Sequence, residues 1–271
     1  MLYRVDADQP RRLSTALADI RQGTASWRLA WELARLDLKN RYRGSVLGPF
    51  WITLSTLVML VGLGFLYARL FNLPLTDYLP HLAVSLVVWQ VLSTAFVEGC
   101  GTMTTNAGII RQMRLPFSLH VLRAVLRSLI VAAHSLPLLA LVFLALWRAP
   151  SAEAPQALFG LVLIAVNMAS AALFLGMVCA RFRDVTQIVA SLMQFAFFVT
   201  PIIWKPQLLG DQAVWLPLNP FYAILETVRG PLIAGGADAA VWVAAVLYTA
   251  GFAALAVAFF ARFRGRLAFW V

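Results

Sequence analysis

VLGPFWITLSTLVMLVGLGFLYA, residues 46–68, decides the fold. It carries no Asp, Glu, Lys or Arg and is long enough, at about 1.5 Å per helical residue, to cross the ~30 Å of hydrocarbon in a bilayer. Five runs of similar length and character follow at 79–97, 128–147, 157–180, 185–204 and 239–261. Hydrophobic residues make up 61% of the chain and charged residues 13%, with a mean hydropathy of +0.80. That balance fits one integral membrane domain and leaves no room for a soluble one. The expectation is an all-α membrane protein of six transmembrane helices.

Charge sets the orientation. When the segments between the runs are assigned alternately to two sides, all but four of the 22 Lys and Arg fall on one of them. That side comprises the N-terminal arm, the loops after the second and fourth runs, and the C-terminal tail. The exceptions are Arg69, Arg148, Lys205 and Arg229. The positive-inside bias puts both termini in the cytoplasm and gives an even number of spans. The net charge of +10 therefore reads as topology and attraction to anionic headgroups, with no need for nucleic acid as partner. Residues 1–43 contain no apolar stretch of signal-peptide type. Cys100 and Cys179 are far apart and read as packed thiols, since no metal or redox motif surrounds them.

The arm, residues 1–44, has a pattern of its own. On a helix Trp27, Trp31, Ala34, Leu38 and Tyr42 share a stripe, while Arg28, Glu32, Lys39 and Arg43 lie opposite. With Arg41 beside them, these residues predict an amphipathic helix lying in the interface, although packing on a soluble partner is also open. Gly44 supplies a stop and Ser45 a cap for the first span, leaving little slack between arm and membrane domain (45–271).

The loop after the second run contains TNAGIIRQMRLPF, and a short helix is expected over 109–115 before Pro116 starts the next helix. On that helix His120, Arg123, Arg127 and His134 share a face. The arginines either snorkel to headgroups, or this face lines a polar route or pairs with Glu98 near the end of the second run. The segment 205–238 is too apolar for a solvated loop. Asn219-Pro220 reads as the start of a short helix ended by Gly230, one of the interfacial or re-entrant helices expected between spans five and six.

Catalytic chemistry is not evident. His81, His120 and His134 form no HExxH, and neither lysine follows a glycine as a P-loop requires. The chain is expected to bind no cofactor, and any ATP and Mg would be used by a separate subunit.

Five stretches in order carry a resemblance: LARLDLKNRYRGSVLGPFW, IIRQMRLPF, RFRDVTQI, TPIIW and LNPFYAILETVRGPL. Together they resemble the permease subunits of type-2 ABC exporters, in particular those moving lipid-linked O-antigen, capsule or teichoic acid. The resemblance implies a homodimer served by two copies of a separate ABC ATPase. It assigns ATPase contact to Arg111, Gln112, Arg114, Leu115 and Pro116 as a coupling helix, and to Arg181, Arg183 and Asp184 as a second contact. Arg183 and Asp184 also read as a topology signal plus a helix cap. It implies exit helices carrying Trp215, Phe221, Tyr222, Glu226 and Arg229. A sugar path wants aromatic faces, for which Phe65, Tyr67, Trp89, Phe195, Phe197, Phe198 and Trp204 are candidates, with core packing or the interfacial belt as the competing role. A drug exporter and a membrane enzyme acting on lipid-linked sugars are the rival readings.

Overall fold

The computed structural model describes residues 12–271; residues 1–11 of the arm, with Arg4 and Arg11, lie outside the described residues. Among the described residues there are eleven α-helices and no strand. The arm forms α1 (Arg12–Ala25) and α2 (Trp27–Arg41). The first two spans are α3 (Phe50–Leu70) and α4 (Leu75–Cys100), followed by a short α5 (Ala107–Gln112). The third span is split into α6 (Phe117–Ala133) and α7 (Leu136–Ala145). Then come α8 (Ala157–Arg181), α9 (Val185–Val199), α10 (Pro220–Ile233) and α11 (Ala239–Trp270). 3-10 turns at Ala154–Gln156 and Pro206–Leu218 precede α8 and α10.

Five stretches are long and apolar enough to span a bilayer: α3, α4, α6 with α7, α8 with the turn before it, and α11. The fifth apolar run, expected over 185–204, is a correction. Its helix α9 stops after 15 residues, about 22 Å of rise. Pro201 has no N–H to continue the ladder, and Thr200 is already extended. The break inside the third span has the same kind of cause. Pro137, in the first turn of α7, cannot bond back and its ring would crowd the carbonyl four residues earlier. The His134 carbonyl freed there accepts a hydrogen bond from Thr53 Oγ1 at 2.8 Å.

The core is built from α4 and α8, with α10 and α11 packed on α8. Most of α4 is buried in protein, whereas most of α3 is not. Lipid tails are as apolar as leucine, so helices associate in a bilayer through close packing and polar contacts rather than through escape from water. Small residues accordingly mark the closest crossings. A Cβ on Gly176 of α8 would stand 3.2 Å from the Gly99 carbonyl of α4. One on Gly160 would come within 2.7 Å of the Thr227 carbonyl, so this glycine lets α10 lie against α8. Midway along α8, Asn167 donates to Thr249 of α11 at 2.7 Å.

The other span bounds shift modestly. Gly44 adopts a left-handed backbone, as the expected stop requires, but α3 begins only at Phe50. Ser45 Oγ accepts from Gly48 N at 3.0 Å and so closes a turn, not the helix. Residues 42–49 therefore form a real linker in place of the tight junction expected.

Candidate functional site

Polar side chains gather at the two ends of the bundle. At the arm end, α2 lies along α6 with Ala30, Ala34 and Leu38 buried between them. The expected stripe is thus only partly the packing face: Trp27 and Trp31 flank it and stay exposed, with Arg28 over the Trp27 ring at 5.6 Å. Lys39 and Arg43 are also exposed, while Tyr42 is half-buried, with Arg41 over its ring at 6.0 Å.

On the edge of that stripe sits Asp37. Its carboxylate accepts from Arg123 Nε at 2.7 Å and from Arg123 Nη2, with Arg127 Nη1 3.5 Å away. Arg127 also donates to Glu98 at 3.0 Å, and the other oxygen of Glu98 takes Arg41. That hydrogen bond pushes the already basic Arg41 guanidinium further up, against the opposing effect of burial. Arg123 reaches Asn106 as well, at 2.7 Å. One chain of ion pairs and hydrogen bonds thus links α2, α4, α6 and the segment before α5. The pairing of this face with Glu98, raised from sequence, is present. The larger share taken by Asp37 was missed. His120 is buried with neither ring nitrogen partnered and borders a cavity of about 20 Å³ beside Thr102 and Arg127.

A second tie at this end was not legible at all. Asp19 of α1, 2% exposed, accepts from Ser118 N at 3.0 Å and Ser118 Oγ at 2.8 Å, at the start of α6. It also accepts from Arg264 Nε of α11 at 2.9 Å. A carboxylate at a helix N-terminus satisfies open N–H groups and complements the dipole. Its pairing to Arg264 makes burial affordable.

The short helix expected over 109–115 lies instead at Ala107–Gln112. Met113 is extended, and the residue before Pro116 is biased away from helix. Pro116 stands just before α6. Gln112 and Arg114 are exposed and Leu115 is half-buried, while Arg111 is partly spent on the Val271 oxygen at 2.9 Å from Nε. The Arg181–Asp184 turn is exposed, with Arg181 over the Phe182 ring at 5.8 Å. Asp184 occupies the cap position of α9, yet its carboxylate makes no capping hydrogen bond.

The opposite end is organised by one residue, Arg229 of α10, 2% exposed. Its guanidinium donates to Glu226 through Nε at 2.8 Å and through Nη2. Nη1 reaches Ser85 at 2.8 Å and the Pro201 carbonyl, with His81 Nε2 3.4 Å away. The irregular turn after α9 is held the same way at other points. Tyr78 O–H donates to the Ile203 carbonyl, and Asn219 Nδ2 to Thr200 Oγ1 at 3.1 Å. Buried backbone freed from a helix needs such partners. Asn219 also caps α10, accepting from Phe221 N and Tyr222 N at 3.0 and 3.2 Å, as the sequence predicts. Gly230 does not end that helix, which continues to Ile233.

The aromatic candidates divide. Trp89 is buried, with Phe197 and Phe221 at ring distances of 5.9 and 5.6 Å, so it packs the core. Phe65, Phe195 and Phe198 lie on open faces of α3 and α9. Tyr67 rests on Phe71, and Trp204 Nε1 donates to the Phe198 carbonyl at 3.2 Å. Trp215 is exposed and Tyr222 buried.

Long apolar helices, irregular backbone anchored between them and charged clusters at both ends define a multi-pass helical membrane protein. The sequence profile of the ABC-2 type transporter membrane domain matches residues 28–233, and the chain belongs to that family. It is thus a membrane permease component, and the family implies an ABC ATPase as its partner. The chain is similar to the O-antigen export system permease protein RfbA of Myxococcus xanthus, at 28% identity over 207 residues, covering 73% of this chain and 77% of that protein. It is also similar to O-antigen export system permease proteins RfbA of Klebsiella pneumoniae, one of them 22% identical over 198 residues, covering 71% of this chain and 75% of the relative.

Proposed function

We infer that this chain is the permease subunit of an exporter that moves a lipid-linked polysaccharide across the bacterial plasma membrane. The observation that carries this reading is similarity over more than two thirds of the chain to permeases named for O-antigen export. The working unit is a homodimer with two ATPase subunits, which use ATP and Mg. The arm, residues 1–44, lies on the cytoplasmic side with the C-terminus, and residues 45–271 form the membrane domain. The charge asymmetry of the sequence supports that orientation.

In this reading α5 and the turn before α6 meet the ATPase through Gln112, Arg114, Leu115 and Pro116, with the Arg181–Asp184 turn as a second contact. Arg111 bridges to the end of α11. Trp27 and Trp31, left open beside the buried stripe of α2, anchor the arm in the headgroup region. The open aromatic faces of α3 and α9, with Phe65, Phe195 and Phe198, are the part of the candidate path that a second copy would help enclose. Phe221, Tyr222, Glu226 and Arg229 shape the exit.

Two measurements test the reading. Single cysteines at Ala152 and Gln212, on a background lacking Cys100 and Cys179, should react with an impermeant reagent added outside sealed cells. One at Gln112 should not, and its labelling would reverse the topology. Co-expression with the ATPase should yield a complex of two permease and two ATPase chains whose ATP hydrolysis rises with lipid-linked polysaccharide. Stimulation by small amphiphiles alone would turn the reading to a drug exporter.

A further inference from the structure

The sequence keeps only four basic residues away from the arm side, and three of them meet in space. Arg69 lies over the Phe65 ring. Arg148, Lys205 and Arg229 come from three separate segments to line one half-open cavity of about 260 Å³, together with Asp77, His81 and Glu226. Three of these four basic residues, drawn from separate segments, share one cavity, and that clustering points to a local use.

The three cations are not equivalent. Arg229 is fully committed to Glu226, Ser85 and the Pro201 carbonyl, and forms a fixed floor. Arg148 gives Nη2 to Asp77 at 2.7 Å but has a half-exposed side chain. Lys205 is half-buried and is within ion-pair distance of no carboxylate among the described residues. Three cations therefore face two carboxylates, both already engaged, and the unmatched charge is the ammonium. Burial lowers the basicity of Lys205, with Asp77 pulling it back and Arg148 pushing it further down. An ammonium partly withdrawn from water without a counterion gains from a ligand that supplies one.

We propose that this cavity binds a phosphate group, with Lys205 and Arg148 donating to its oxygens above the floor made by Arg229. The cavity falls just below the ~300 Å³ at which small-molecule pockets begin. It suits a phosphate or diphosphate rather than several sugar rings. Ammonium and guanidinium donors to phosphate form strong charge-assisted hydrogen bonds. The phosphate belongs either to a lipid headgroup of the adjoining leaflet or to a soluble anion. The proposed topology matters only for which leaflet that is.

The full chain, purified into phosphatidylcholine nanodiscs, tests this without an ATPase, so a failed export reading would leave the result intact. Inorganic pyrophosphate is titrated by calorimetry, and phosphatidylglycerol is added to the nanodiscs and counted by native mass spectrometry. Saturable pyrophosphate binding assigns a soluble anion; retention of phosphatidylglycerol alone assigns a lipid headgroup. In either case Lys205→Gln and Arg148→Gln should each weaken binding about tenfold, the scale of one lost charged hydrogen bond. Lys205→Arg should bind within about threefold of the parent, and unliganded melting temperatures should separate lost binding from lost folding. Binding of neither probe, or equal binding by the Lys205→Gln, Arg148→Gln double variant, would overturn the proposal.

Discussion

The two charged ends of the molecule use similar side chains to opposite effect. At the arm end, Arg41, Arg123 and Arg127 share Asp37 and Glu98, and each pair joins segments distant in sequence. At the far end, Arg229 pairs with Glu226 three residues away and turns its remaining donors onto a broken backbone. The first network chiefly holds an arm to a bundle, and its loss is expected to free the arm while the bundle stays folded. The second holds the bundle's own irregular turn, and its loss is expected to unfold the bundle. The partners packed around it, more than residue type, decide what an arginine does here.

The largest effect should follow from cutting the far-end network. Arg229→Met leaves the half-buried Glu226 without its partner and the Pro201 carbonyl without its donor. A loss of about 3–5 kcal/mol is expected, seen as a collapse of membrane level and detergent melting temperature. A variant melting like the parent would mean that the turn after α9 holds itself.

Next comes Asp37→Asn at the arm end, which removes the charge facing two arginines. The pair is partly exposed, so about 2 kcal/mol is expected. It should appear as faster proteolysis within α2 while the spans stay intact. Equal sensitivity of arm and spans would erase the distinction between the two ends. Asp19→Asn keeps some of its hydrogen bonds to α6 and should cost about 1–2 kcal/mol. The check is whether the same cleavage site opens at a lower temperature than in the parent.

The difference between the ends also explains what could be read from sequence. Apolar runs gave the approximate place of the long spans because 46–68 and its fellows admit no other use. The runs could not reveal that α9 is short. Thr200–Trp204 is as apolar as a helix, and only the fixed φ and missing N–H of Pro201 end it. Asn219 was legible as a cap because the cap and the helix it serves are neighbours. Asp19 was not, because the N–H groups it satisfies belong to a helix about a hundred residues later. Asp37 lay between, since periodicity places it at the margin of the Ala30, Ala34 and Leu38 stripe. Read that way, it announces a partner on the packing surface. The cavity of Arg148, Lys205 and Arg229 could be seen only as three exceptions to a charge rule.

The smallest structural effect should come from Trp27→Ala with Trp31→Ala, since neither indole is buried. Protein level and melting temperature should change little, while polymer at the cell surface falls severalfold if these indoles anchor the arm. A drop in protein level that matches the drop in polymer would make the arm a folding element.

The central claim is that this permease exports polysaccharide when driven through α5 and its flanking turn. The most direct measurement is polymer at the surface of cells deleted for this chain and complemented with the parent or with Gln112→Glu, Arg114→Glu, compared at equal membrane level. The parent should restore surface polymer. The double variant, which reverses charge at the proposed ATPase contact, should leave polymer inside the cell together with a dissociated ATPase. Full export by the variant would remove α5 from the interface. Normal surface polymer in cells lacking the chain altogether would contradict the account.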